Sequence, residues 1–434
     1  MEKKHPTSKK HSKAAAQQPR REGKVSPEDR KPAPPTEGKG APRPSIDSAS
    51  GATQCPVYRK CGGCQLRNLS PQRQLQWKQD RCQKLLGSFG KVPPILGMDH
   101  PYHYRNKVSA AFAWDRKYRR IISGVYQSGT HRVVPVDSCL NEDEKADAVI
   151  VTIRGLLKEF KLMPYDEDTG RGFLRHVLVK RGFGTEELMV VLVTGTPVFP
   201  AKKHFVEALL KAHPEITTIL QNVNSGSTSL VLGPRETVLY GPGYIVDELC
   251  GCRFRISAKS FYQINPAQTE VLYRTAMDFA RLTGREKVLD AYCGIGTIGL
   301  VAAKSGAGRV LGVEVNPDAV RDAIVNAREN GLSEKAWFTC ADAGEYMAEA
   351  ALAGERFDVV FMDPPRAGAS EEFLTALCAL APRRVVYISC NPETLARDLH
   401  FLRANHYRVE ALQPVDMFPF TQHIETVVAL SRAD

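Results

Sequence analysis

No apolar run in this 434-residue chain approaches the ~18 residues that a membrane helix needs. The stretch from Met1 carries no apolar secretory core either, so a cytoplasmic location and no membrane partner are expected. Disulfides are rare in that compartment, and the eleven cysteines are therefore read as reduced thiols, metal ligands or catalysts. The first fifty residues contain no aromatic side chain and no hydrophobic period. They hold twelve Lys or Arg against six Asp or Glu, a local balance of +6 within a net charge of +11. A disordered basic tail is expected over 1–50. It suits a polyanion such as RNA, or serves only to keep the chain in solution.

The whole chain is 43% hydrophobic and 25% charged, ordinary for a globular protein of two or three domains. A helix is expected over Pro71 to Leu86. Short β-branched runs follow: Val108 to Trp114, Ile121 to Tyr126, Val177 to Arg181, Leu188 to Val193 and Thr228 to Leu232. Helices at Glu142 to Phe160 and Lys202 to His213 interrupt them, which predicts an α+β region over 51–255 with a sizeable antiparallel sheet. From 256 to 434 helix and strand alternate, the pattern of a doubly wound, mainly parallel α/β sheet of Rossmann-like type. No internal repeat is visible.

Within that second region, Asp290-Ala-Tyr292-Cys293-Gly294-Ile-Gly296-Thr297 follows an apolar strand and precedes a helix. Such a glycine turn lets backbone approach a ligand at the switch point of a doubly wound sheet. It lacks the third glycine placed for a pyrophosphate and any basic residue, which favours a nucleoside cofactor without phosphates, S-adenosylmethionine first. Glu314, ending the next strand, can accept the ribose hydroxyls, and Asp342 is placed for the adenine amino group or for a helix cap.

Asp363-Pro-Pro-Arg366 ends the fourth strand, and Cys390, between Ser389 and Asn391-Pro392, ends the fifth. A thiol at a strand end beside a helix N-terminus is expected to have a depressed pKa and nucleophilic character. Thiolate addition at carbon 6 of a pyrimidine makes carbon 5 nucleophilic, and a base must later remove the carbon 5 proton. Glu425, at the entry to the last strand, is the carboxylate placed for that step. Cys293 and Cys340 have no such context and are read as packing residues. Cys55-x5-Cys61-x2-Cys64, with Cys139 far downstream, supplies four thiolates for zinc or an iron–sulfur cluster. Spacing alone leaves both open.

Phe261-Tyr-Gln263-Ile-Asn-Pro266, Tyr292-Cys-Gly-Ile-Gly296, Asp363-Pro-Pro-Arg-Ala-Gly368, Ser389-Cys-Asn-Pro392 and Asp416-Met-Phe-Pro419 with Glu425 resemble the RumA type of RNA 5-methyluridine methyltransferases. The resemblance runs over residues 54 to 431. It implies Cys390 as nucleophile and Glu425 as base, with Gln263, Tyr292, Glu314, Asp342 and Asp363 lining an S-adenosylmethionine pocket. It also implies that Cys55, Cys61, Cys64 and Cys139 hold a [4Fe-4S] cluster, and that the enzyme methylates 23S ribosomal RNA as a monomer with no obligate protein partner. Transfer RNA methylation is an alternative within the family, and an inactive metal-stabilised RNA-binding or assembly factor is one outside it. Tyr102-His-Tyr-Arg-Asn-Lys107 and Arg171-Gly-Phe-Leu-Arg-His176 interleave aromatic and basic groups, a mixture suited to single-stranded RNA.

Overall fold

The first strands and helices follow from the patterns above and begin with a short turn of helix, α1 (Tyr58–Cys61), inside the cysteine motif. The structure, a computed structural model, describes residues 55–226 and 230–433. The basic segment 1–50 therefore lies outside the described residues. Helix α2 (Pro71–Leu86) starts where Ser70 accepts the Arg73 N–H at 3.3 Å and Pro71 occupies the first helical position.

A seven-stranded sheet follows. Its strands are β1 (Lys107–Asp115), β2 (Arg120–Tyr126), β3 (Val133–Pro135), β4 (Leu174–Arg181), β5 (Leu188–Thr194), β6 (Ile216–Val223) and β7 (Arg235–Tyr240), in spatial order β3-β2-β1-β4-β5-β6-β7. Helix α3 (Glu144–Glu159) enters between β3 and β4, and α4 (Lys202–Ala212) makes the crossover of the single parallel pair, β5 with β6. Strand β5 is buried along its whole length. One of its faces meets α3 and α4 through Val190 and Leu192, and the other, with Met189 and Val191, joins the core of the second sheet. The expected strand at Thr228 to Leu232 is not formed by its described residues, Leu230 to Leu232; the edge strand is β7, which begins three residues after Leu232. A hairpin of β8 (Ile245–Leu249) and β9 (Cys252–Ile256) links the halves.

The second sheet opens with α5 (Pro266–Ala280), β10 (Lys287–Ala291), α6 (Thr297–Lys304), β11 (Arg309–Glu314), α7 (Pro317–Glu329) and β12 (Ala336–Cys340). It continues with α8 (Ala343–Leu352), β13 (Val359–Met362), α9 (Glu371–Leu380), β14 (Arg384–Ser389), α10 (Pro392–Ala404), β15 (Tyr407–Val415) and β16 (Glu425–Arg432). Strand order is β12-β11-β10-β13-β14-β16-β15, with every strand running the same way except β16, which is antiparallel to both of its neighbours, β14 and β15. The order reverses between β10 and β13, and the crevice outside their carboxyl ends is where such sheets bind ligands.

Helix α2 packs on this second sheet, with Cys82 and Leu86 in one core with Tyr387, Leu399 and Val428. Its polar face is tied to the loop between β15 and β16. The fully buried Lys78 ammonium meets Asp416 Oδ1 at 2.5 Å and the Phe418 carbonyl at 3.0 Å, while Gln74 donates to Asp416 Oδ2 at 2.7 Å. Removing one partner of a buried pair strands the other charge, so Lys78→Met is expected to lower stability by about 3–5 kcal/mol, measured by urea unfolding.

Candidate active site

Sheet register brings the proposed nucleophile and base together. Strands β14 and β16 pair with Ser389 opposite Thr426, so one step further along Cys390 faces Glu425. The parallel neighbour β13 ends at Met362, opposite Tyr387, and puts Asp363 at the same edge. Three strand termini thus converge, and their groups feel one another electrostatically. Burial pushes the Glu425 carboxyl up to about 8, with Asp363 adding and Arg366 opposing. Burial alone lifts Asp363 to about 7.

The Cys390 thiol is also raised, to about 12, by burial first and then by Glu425 and Asp363, with Arg366 the opposing cation. This corrects the expectation of a depressed pKa. Helix α10 does begin beside the thiol, but Pro392 has no N–H to offer and the Asn391 side chain takes the Glu393 N–H at 3.1 Å. Burial, with two carboxyl groups added to it, outweighs what remains of the helix terminus.

The crevice beside this trio is acidic. Asp290, at the end of β10, is fully buried; its Oδ2 accepts the Gly299 N–H at 2.7 Å and its Oδ1 has no partner. Burial raises its carboxyl to about 8, with Asp363 and Glu314 contributing. Glu314 bridges the turn, accepting from Gly294 N at 3.1 Å and Asn316 N at 2.8 Å. Gly296 has φ +83°, and a Cβ there would meet the Phe338 ring at 2.9 Å, so the turn needs glycine. Tyr292, also at positive φ, stacks on Phe373 with ring centroids 4.9 Å apart, and burial raises its hydroxyl, with Asp342 the next cause.

Asp342 is a helix cap: Oδ1 accepts from Gly344 N and Glu345 N at 2.8 and 3.1 Å, leaving Oδ2 for another donor. Gln263 is held through its backbone. Asn106 donates its side chain to the Gln263 carbonyl at 3.1 Å and its N–H to the Ile264 carbonyl at 2.9 Å. The Gln263 side-chain amide makes no hydrogen bond among the described residues. Sequence reasoning missed Asp290 as a site group, though its place at a strand end was visible. It also missed Phe373 and Asn106, for which no sequence signal existed.

The four cysteines of the motif surround a separate cavity of about 340 Å³, lined by Cys55, Cys61, Cys64 and Cys139 together with Arg67 and Arg105. Asn141 Nδ2 lies 3.2 Å from Cys64 Sγ. Nε and Nη1 of Arg67 and Nε of Arg105 are buried there without hydrogen-bond partners. Among the described residues, no group of three or more His, Cys, Asp or Glu forms a site that could hold a metal ion.

The remaining sequence expectations divide. Cys293 is buried as expected, whereas Cys340 is exposed at the end of β12. In the 102–107 segment Tyr104 is buried, its hydroxyl donating to the Pro419 carbonyl at 3.2 Å, so with Asn106 it joins the two halves instead of facing RNA. Arg175 is buried as well, bound to both oxygens of Glu167 and to the Asn224 and Gly226 carbonyls.

The family model for tRNA (Uracil-5-)-methyltransferase matches residues 245–433. An uncharacterised RNA methyltransferase of Halalkalibacterium halodurans is 45% identical over 87% of this chain and 82% of its own length. Another from Clostridium acetobutylicum is 40% identical over 88% and 83%. Among solved structures, the Pyrococcus abyssi tRNA (uracil-54, C5)-methyltransferase in complex with S-adenosyl-L-homocysteine is similar, with a TM-score of 0.72, 28% identity and 85% of each chain covered. With a mixed α/β methyltransferase fold and a thiol, buried carboxyl groups and an acidic crevice on one sheet edge, the chain belongs to the RNA (uracil-5-)-methyltransferase family.

Proposed function

We propose that the protein transfers a methyl group from S-adenosylmethionine to carbon 5 of a uridine in 23S ribosomal RNA through a covalent adduct at Cys390. The observation that carries the chemistry is the register that sets Cys390 against Glu425 beside Asp363. The acidic crevice supports the donor: Asp290, Glu314 and Asp363 repel phosphates but favour a sulfonium and an amino group. Glu314 is assigned to the ribose, Asp342 Oδ2 and Tyr292 to the adenine end, and Gln263 with Asp363 to the remainder of the donor.

In this mechanism the Cys390 thiolate adds to carbon 6 of the uracil, and the electron pair of the 5,6 double bond becomes available at carbon 5. Carbon 5 takes the methyl group, and the donor leaves as its neutral thioether. Glu425 then removes the carbon 5 proton; the double bond re-forms and the carbon–sulfur bond breaks, returning the thiolate. A thiol raised by two carboxyl groups ionises when positive charge enters the site. The donor's sulfonium is the charge that would do so, adding to the Arg366 guanidinium that already opposes the carboxyl groups.

The residues around the four thiols suit a [4Fe-4S] cluster. Four cysteines surround a cavity instead of converging on one point, and Arg67 and Arg105 present unpaired buried N–H groups to a centre that would carry negative charge. Such a group would fold this region when bound. The cysteine motif, by its resemblance, favours ribosomal RNA; the Pyrococcus neighbour acts on transfer RNA and supports that as the second reading.

Three outcomes are expected. Cys390→Ala abolishes methylation and Glu425→Gln accumulates a methylated RNA–protein adduct on denaturing gels, with mass spectrometry placing 5-methyluridine in 23S rRNA and not in transfer RNA. Anaerobically purified protein contains iron and sulfide in near-equal amounts, whereas stoichiometric zinc would replace the cluster assignment. Third, Glu425 binds its proton more tightly when folded, since its carboxyl rises from 4.5 to about 8. Its stabilising contribution is complete below about pH 4.5 and is lost as pH rises through about 8. Glu425→Gln therefore melts higher than wild type at pH 9, and the gap closes towards pH 5, by calorimetry.

A further inference from the structure

One face of the first sheet is open where β1, β2 and β3 meet. Helices α3 and α4 cover the opposite face, with Ala110, Phe112, Val177 and Val179 in their core. On the open side Ala111, Ile122 and Val133 form a small buried hydrophobic cluster, with Ala113 and Tyr126 half-covered. A cavity of about 460 Å³ lies there, within the range of ligand pockets. Its floor is a cross-strand row, Gly124 opposite Ala111 and Ala111 opposite His176. The row is flat because Gly124 has no room for a side chain: a Cβ would meet the Val134 carbonyl at 2.0 Å.

Three rings stand round this floor. Tyr126 lies 5.8 Å from His176, near perpendicular, and 6.2 Å from His131. A register shift between Leu174 and His176 lets the consecutive residues Arg175 and His176 both line the cavity, as a bulge re-aims side chains. Arg175 is held by Glu167 and two carbonyls, so this wall is fixed before anything binds. Burial first, and Arg175 next, push the His176 imidazole down to about 4, which leaves it neutral.

The same two strands end about 13 Å beyond Ala111 in a basic tip. Between Asp115 and Arg120 stand Arg116, Lys117 and Arg119, and the Asp115 carboxylate is occupied by the Lys117 and Tyr118 N–H groups. Exposed Tyr118 has Lys117 at 5.1 Å and Arg120 at 5.6 Å from its ring. Aromatic groups beside cations are what single-stranded RNA requires: bases stack and phosphates pair.

We propose that the cavity of Ser109, Ala111, Gly124, Tyr126, His131 and His176 receives an unstacked base of the RNA substrate other than the methylated uracil, with the neighbouring phosphates on the β1–β2 tip. The assignment rests on the reading of the chain as an RNA uracil methyltransferase. Stacking on Tyr126 and His131 supplies affinity, and the neutral His176 ring and Ser109 hydroxyl supply hydrogen bonds to base edges. Tyr126 and Val125 also line the four-cysteine cavity, so the base would lie directly across Tyr126 from that centre.

The test uses the full-length protein with unmodified transcripts of 23S rRNA and of transfer RNA, measuring methylation, RNA dissociation constants and S-adenosylmethionine binding. Tyr126→Ala removes the stacking ring, and Ser109→Trp fills the cavity from its exposed edge. Both are expected to weaken binding of whichever transcript is methylated on the order of tenfold, with donor affinity unchanged. Wild-type binding by both variants overturns the pocket and leaves the methyltransferase reading standing. Loss with Tyr126→Ala alone also overturns it, since the ring would then serve only the sheet. Wild-type protein that methylates neither transcript overturns the methyltransferase reading and the pocket with it.

Discussion

The buried Lys78–Asp416 pair joins helix α2, early in the described residues, to the loop between β15 and β16 near their end. Asp416 is anchored by Lys78 and Gln74 from α2, and its carbonyl accepts from Gln268 of α5. The loop that follows receives more contacts from the N-terminal side. The Phe420 carbonyl accepts from Leu66 N, and the Arg67 guanidinium lies over the Phe420 ring at 4.1 Å. Five residues separate Pro419 from Glu425 at the start of β16. The cysteine motif, α2 and the proposed base are therefore mechanically one unit, and a desolvated ion pair enforces the fit because neither charge tolerates losing the other.

Electrostatics at the sheet edge follow from the same closeness. Asp290, Asp363 and Glu425 all have raised pKa values because burial denies them water, and neighbouring acids add to the shift of Asp290 and Glu425. The Cys390 thiol shares that field and is held protonated. An edge so arranged favours neutral groups in the free protein and gains most from a cationic ligand. A thiol held protonated is shielded from adventitious alkylation and oxidation.

The first sheet serves the second by backbone contacts as well as by its own surface. Asn106 holds the carbonyls of Gln263 and Ile264, and Asn265 in the same loop donates to the Met417 carbonyl at 2.8 Å. Position 106 lies just before β1, so the strand that carries the open cavity floor also sets the loop nearest the donor crevice. Tyr104 and Arg175, read from sequence as RNA-facing, are buried joints of this framework. Interleaved aromatic and basic residues suit a packed junction as well as a nucleic acid, and one dimension of sequence cannot separate the two.

Strand and helix positions in the second half were legible because buried parallel strands are short apolar runs and helices open with Asn-Pro or Gly signals, as at Asn265, Asn316 and Asn391. The edge strand β7 was not, since all its residues except Leu239 are exposed and carry no apolar period. Sequence by itself determined the residue types at the strand ends, hence a thiol, three carboxyl groups and a four-cysteine set, because local pattern marks where each strand stops. Only the tertiary structure decided which strand ends are neighbours, and with that the protonation of Cys390. A pKa depends on charges brought close through space, and Glu425 lies thirty-five residues from the thiol that it opposes.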